Sequence, residues 1–188
     1  MPLPPDVLPE RKIDQGESDV YRYGDDVYKL FNHRPDITHH TLKYYQKITA
    51  EVKRFFDNQQ ISFTEKHSPF GRIHTFSLLI VPLDEVSTSG SIVWSRSKFI
   101  LGSSVMDEMH IKQQGIFWRI NQSDRGEVER ILETLQVRMN EKVGTGKIEL
   151  VGNNIKVGNN QLVITDLYSS VFLINSEKDF MSHHTSKV

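Results

Sequence analysis

The chain contains no cysteine, which removes disulfides, thiolate catalysis and cysteine-based zinc sites from consideration. It has no run of eighteen apolar residues, so no transmembrane helix is expected. Neither sign of charge is in excess. With 23 Lys and Arg against 24 Asp and Glu, the net charge is −1, and nothing points to nucleic acid or a membrane surface as partner. The eight histidines form only two adjacent pairs, His39-His40 and His183-His184. Neither pair has the i, i+4 spacing of a helical zinc site. The N-terminal stretch MPLPPDVLPERK carries four prolines in nine residues and no apolar core, so it does not read as a signal peptide. A cytosolic protein is the expectation, and the sequon Asn121-Gln122-Ser123 then has no role. Heptads, internal domain repeats and low-complexity segments are also missing.

What is present is enough for one core, or for two small lobes sharing a seam: 188 residues, 37% of them hydrophobic. The most informative stretch is Lys147 to Tyr168, KIELVGNNIKVGNNQLVITDLY. Three short apolar runs, Ile148 to Val151, Ile155 to Val157 and Leu162 to Ile164, are separated by two copies of Gly-Asn-Asn. Such runs between Gly/Asn turns predict short strands joined by hairpins. Asn154 in the first turn and Asp166 after the last run would then share one end of a ribbon. An amide and a carboxylate oxygen so placed suit a hard cation such as Mg²⁺ carrying phosphates. The plain alternative is a meander whose Asn and Asp residues only make turns.

Upstream, residues 1–12 read as a Pro-fixed leader. From Ile13 to Phe31 the alternation around Val20 to Tyr23 and Val27 to Phe31, with Gly24-Asp25-Asp26 between, predicts a hairpin. A Gly-Glu-Ser-Asp loop, Gly16 to Asp19, stands at its mouth, and backbone N–H groups of such a loop can bind phosphate oxygens. Lys29 alternates with apolar neighbours on the return strand. Leu42, Tyr45, Ile48, Val52, Phe55 and Phe56 then recur at helical spacing, predicting a helix over 38–57 capped by Asp36 or Thr38. Glu51 is its one mid-helix carboxylate. Ile61 to Glu65, Arg72 to Val81 and Ser91 to Leu101 read as strands. Ile116, Phe117, Trp118 and Ile120 belong to a segment without a clear period. Asp124-x-x-Glu127 opens a second helix running to about Lys142, with Val128, Ile131, Leu132, Leu135 and Met139 on its apolar stripe and Gly144-Thr145-Gly146 after it.

The ribbon Asn154-Ile155-Lys156-Val157, turn, Leu162-Val163-Ile164-Thr165-Asp166-Leu167-Tyr168 resembles the catalytic-loop and metal-loop hairpin of the protein-kinase-like superfamily, which includes the aminoglycoside and choline phosphotransferases. The resemblance implies Asn154 and Asp166 as metal ligands. Glu149 stands where the family has its catalytic Asp, Lys147 where it has a His, and Tyr168 where it has the Gly of Asp-Phe-Gly. It also implies that the N-terminal hairpin covers phosphates through Gly16 and Ser18. Lys29 would be the phosphate-binding lysine and Glu51 its helical partner. Ser97 to Phe99, with Lys98 and Phe99 as the cofactor-binding residues, would be a hinge meeting adenine through backbone groups.

The resulting expectation is an α+β, kinase-like fold. An antiparallel five-stranded sheet with one packed helix (13–102) precedes a truncated, mainly helical second lobe (103–174) and a polar tail (175–188). Only 22 residues follow Asp166, so the likeness is nearer to short, minimal kinase-like proteins than to a complete kinase. The expected function is ATP and Mg²⁺ binding with weak or absent phosphotransfer, as in a pseudokinase. The alternatives are a minimal active phosphotransferase with Glu149 as base and Lys29 on the phosphates, or an α+β interaction domain unrelated to kinases. Because the second helix and the meander present apolar residues that a short chain has little to cover with, a second copy or a protein partner is expected over Leu132, Leu135 and Val171.

Overall fold

The computed structural model of the protein describes residues 11–15, 18–32, 34–64, 73–104, 125–144, 148–150, 154–158 and 160–167. Among the described residues ten strands form two sheets, and two long helices accompany them. The chain divides into two compact units that interleave in sequence. The first takes residues 1–50, 82–99 and 168–188, and the second takes 51–81 and 100–167. The expected sequential boundary near residue 102 is therefore replaced. Residues 51–81, read as part of the first lobe, cluster with 100–167.

In the first unit, β1 (Arg11–Gln15), β2 (Asp19–Tyr23), β3 (Asp26–Leu30), β6 (Leu83–Ser89) and β7 (Ile92–Lys98) lie in the order β1-β2-β3-β7-β6, all antiparallel. Two tight loops set the registers. Gly24 and Gly90 have φ of +57° and +58°, each the first residue of a two-residue loop. A Gly in that place is what a II′ hairpin turn requires, because side-chain-bearing residues resist positive φ. Leu83 and Val86 are buried, with a register shift between Leu83 and Glu85.

Helix α1 (His39–Phe56) runs from the first unit into the second. Thr38, not Asp36, caps it: the Thr38 hydroxyl accepts the Thr41 N–H at 3.1 Å, while Asp36 takes up the Arg34 guanidinium at 2.8 Å. The expected stripe is buried at Leu42, Tyr45, Ile48, Val52 and Phe56, and Phe55 is half-buried. Gln46 donates to the Leu83 carbonyl at 2.8 Å within the first unit. In the second unit, Asp57 follows the helix, accepting the Ile80 N–H at 2.8 Å and the Lys53 ammonium at 2.7 Å.

The second unit holds β4 (Gln60–Thr64), β5 (Ile73–Ile80), β8 (Ser103–Ser104), β9 (Ile155–Gly158) and β10 (Gln161–Ile164), in the order β4-β5-β10-β9-β8. β10 lies parallel to β5, with Leu162 opposite Leu78 and Ile164 opposite Ile80, so this sheet is mixed. The expected single sheet is thus two, and among the described residues the second unit has one long helix of its own beside its strands. That helix is α2 (Arg125–Val143). It ends where Gly144, at φ +68°, donates its N–H to the Asn140 carbonyl at 2.8 Å. The stripe Val128, Leu132, Leu135 and Met139 is buried within this chain. The expectation that Leu132 and Leu135 await an outside partner is corrected accordingly, and Val171 lies outside the described residues. Ile148 to Leu150 is not a strand but an irregular segment. The cap residue Asp124, the segment 112–122 and the tail also lie outside the described residues. Among the described residues, no helix is long and apolar enough to cross a membrane.

Candidate functional site

The second unit gathers three of the expected site residues at one end of the β9–β10 hairpin. Ile155 faces Ile164 in the ladder, and both are fully buried. Asn154 and Thr165 follow as the next pair outward. The Asn154 carbonyl accepts both the Thr165 N–H and the Thr165 hydroxyl, each at 2.9 Å. This double bond pins the hairpin's open end, with Asp166 one residue beyond. Asp166 is half-buried, between Thr165 and the buried Leu167. Glu149 reaches the same place by a different route, since its N–H donates to the Leu167 carbonyl at 2.9 Å. The backbone therefore brings Glu149, Asn154 and Asp166 together, each half-buried.

The irregular backbone of the Glu149 segment needs hydrogen-bond partners that no strand supplies, since buried peptide groups left unpaired are costly. Helix α2 provides them. Asn140 grips Ile148 on both sides, its amide oxygen accepting the Ile148 N–H at 2.7 Å and its amide nitrogen donating to the Ile148 carbonyl at 2.9 Å. One turn earlier, the Gln136 side chain accepts the Leu150 N–H at 2.8 Å. Glu149 is thus bracketed by two fixed neighbours. Sequence reasoning missed Asn140 and Gln136. The one available signal was a polar pair at i, i+4 beside the apolar stripe of α2.

The donor set at this end is an amide, a carboxylate and a second carboxylate, all hard oxygens that fit a Mg²⁺ completing its shell with phosphate and water. Among the described residues no group of three or more His, Asp or Glu side chains is placed to hold a metal by itself.

The expected residues of the first unit stand as follows. Lys29 is on β3, the middle strand, opposite Val20 and Ser95, and is half-buried. Ser18, expected in an open phosphate loop, is buried beside Asp19, whose carboxylate accepts the Asn32 amide at 2.9 Å. Gly16 lies outside the described residues, as do Lys147 and Tyr168. The Phe99 N–H is donated to the Asp25 carbonyl at 2.8 Å, and the Arg22 guanidinium sits 3.9 Å from the Phe99 ring centroid. That N–H is committed to the sheet. Lys98 is exposed at the end of β7 and binds Asp26 at 2.7 Å. Asp26 also meets Arg96 at 3.3 Å, and Arg96 meets Glu85 at 3.4 Å, so Lys98 belongs to an ion-pair chain on this sheet. Glu51 is half-buried on α1, in the part that clusters with the second unit.

A helix on strands, followed by a second helix and a hairpin with Asp beyond its end, is the order of parts expected of a protein-kinase-like α+β fold. One solved structure supports a fold of that class. The chain is similar to the PknI kinase domain of Mycobacterium tuberculosis in a point-mutant form. There the TM-score is 0.50 and the identity 10%, over 84% of this chain and 57% of that one. A second structure of the same domain gives a TM-score of 0.48 at 10% identity, over 81% of this chain and 54% of that one. At such identity the likeness is one of fold, and the chain spans a little over half the length of these kinase domains. No family model matches the sequence, and no curated protein matches it closely.

Proposed function

We propose that this protein is a kinase-like nucleotide-binding protein in which phosphotransfer is weak or absent. The observation that carries the reading is the meeting of Asn154, Asp166 and Glu149 at one end of a pinned hairpin, on a kinase-like fold. Asn154 and Asp166 would hold Mg²⁺, which when bound neutralises phosphate charge. Lys29 and Glu51 would serve the phosphates. Three departures from the family's pattern weigh against strong catalysis: Glu149 in place of an Asp, Lys147 in place of a His and Tyr168 in place of a Gly. A carboxylate displaced by ~1 Å from its acceptor can cost ~100-fold in rate. The second reading is a minimal phosphotransferase in which Glu149, whose backbone is held beside Asp166 by its N–H bond to the Leu167 carbonyl, orients the acceptor hydroxyl.

The test is a thermal-shift titration of the full chain with ATP, with and without Mg²⁺. A ligand that binds only the folded state raises the unfolding temperature by mass action, by about 2.7 kcal/mol of stability at a hundredfold excess over Kd. A Mg²⁺-dependent rise is expected. No rise at millimolar ATP with Mg²⁺ would refute nucleotide binding and leave a kinase-like scaffold.

A further inference from the structure

The end of α1 and the end of α2 carry chemistry that the nucleotide reading does not use. Phe55, Phe56, Gln59, Arg138, Glu141 and Lys142 line an open groove of about 450 Å³ within the second unit. Phe56 is buried and Phe55 is half-buried, so the groove has an aromatic wall. Cations crowd that wall. The Arg54 guanidinium and the Lys142 ammonium each lie 4.4 Å from the Phe55 ring centroid, and Arg138 lies 5.7 Å from that of Phe56. Arg138 also donates to the Gln59 side-chain oxygen at 3.2 Å, which steadies it at the rim. Among the described residues no carboxylate comes within 4 Å of Arg54, Arg138 or Lys142. Two exposed cations, Arg138 and Lys142, and one carboxylate, Glu141, therefore line the groove, with the exposed Arg54 over the Phe55 ring beside it.

Cation–π contact holds these heads over the rings and leaves their hydrogen-bonding capacity for a ligand. The complement of such a groove is an anion next to an apolar group. Its openness suits a segment presented on a surface rather than an enclosed small molecule, and its size suits two or three side chains. The chain's net charge of −1, with only two cations lining one short groove, does not suit the long backbone of a nucleic acid.

We propose that this groove docks an acidic segment of a protein partner, with an Asp or Glu carboxylate on Arg138 and Lys142 and a neighbouring aromatic or aliphatic side chain against Phe55. The docking is independent of nucleotide binding.

A random-peptide display library selected on the immobilised full chain tests this. The expected winners carry Asp or Glu beside a large apolar residue. A labelled synthetic copy should lose at least about tenfold in affinity, by fluorescence polarisation, to the double variant Arg138→Glu, Lys142→Glu, since reversed charge meets the carboxylate. It should bind Asp166→Ala as it binds the parent. Both substituted positions are exposed, and equal unfolding midpoints in urea would show that the fold is kept. If charge reversal lowers the midpoint, Arg138→Gln with Lys142→Gln replaces it, again with weakened binding expected. Winners without acidic enrichment, or equal binding to the charge variants, would overturn the proposal. Displacement of the peptide by millimolar inorganic phosphate or by a single-stranded oligonucleotide would overturn it too, by assigning the groove to small anions or to nucleic acid.

Discussion

Asp166→Ala and Glu149→Gln are expected to separate binding from turnover. Removing the Asp166 carboxylate takes away a proposed metal ligand, so the Mg²⁺-dependent part of the ATP thermal shift should vanish. Glu149→Gln should keep that shift, because a base acts on the acceptor and not on the nucleotide. Any measurable phosphotransfer should fall by about 10²–10⁴. A retained shift in Asp166→Ala would remove the metal role. A second residue-scale prediction concerns Asp26. The hydrogen bond from Lys98 holds its carboxyl below the ordinary 3.8, with the charges of Lys98 and Arg96 adding and burial opposing. A carboxyl with a depressed folded pKa stabilises the fold above its unfolded pKa, and the contribution is lost as pH falls through the lowered folded value. Asp26→Asn should therefore lower the urea midpoint at neutral pH, and the gap from the parent should close as pH drops below 3.8. A gap unchanged by pH would mean the carboxylate's charge contributes nothing. Residue identities placed Asn154 and Asp166 in advance at the open end of one hairpin, because both flank recognisable apolar runs. Nothing local in Ser97 to Phe99 tells that the Phe99 N–H is taken by Asp25. That partner is seventy-four residues away (99 − 25).

Among the elements, α2 does more than pack. Its Asn140 and Gln136 side chains supply three hydrogen bonds to the backbone of the Glu149 segment. Asn140→Ala leaves the Ile148 N–H and carbonyl without those partners. With Ile148 only 2% exposed, this should cost about 1–3 kcal/mol in a urea unfolding curve. It should also weaken the Mg²⁺–ATP shift by loosening the hydrogen bond between Glu149 and Leu167. A stable variant with an unchanged shift would make Asn140 a bystander. The helices were legible because their apolar stripes repeat at 3.6 residues and their ends carry Thr38 and Gly144. Less of the sheets was legible. β6 reads LDEVSTS, mostly polar, and its register shift between Leu83 and Glu85 breaks the alternation that marks a strand. β1, RKIDQ, has a single apolar residue at a sheet edge. Ile148 to Val151 has the composition of a strand, yet at Ile148 to Leu150 helix side chains satisfy its backbone instead. The parallel pairing of β5 with β10 joins residues more than eighty apart, such as Ser77 and Gln161, and no local pattern announces it.

For the whole molecule, the question is whether the chain stands alone. Read as a sequence, α2 and the ribbon after it present more apolar surface than a short chain can cover. In the structure that surface is inside: Leu135 and Met139 on α2, and Ile155, Leu162, Val163 and Ile164 on β9 and β10, are each at most 5% exposed. Two sheets instead of one account for the difference, since β5 pairs with β10 and brings Phe76, Leu78 and Ile80 into the same core. The large apolar residues that remain exposed among the described ones are Tyr23, Ile73, Leu101 and Val137, on four separate stretches of chain. Single exposed apolar residues are ordinary on monomers, whereas stable self-association calls for a contiguous patch of several hundred Å². The acidic-segment groove is cationic, so two copies facing each other through it would repel. Sedimentation equilibrium at tens of micromolar is therefore expected to return one species at 21.8 kDa. The mass should not change with the Arg138→Glu, Lys142→Glu pair. A dimer that dissociates on that charge reversal would turn the groove into a self-interface. A dimer indifferent to it would place the association surface on other residues, and the burial argument for a monomer would fail in either case.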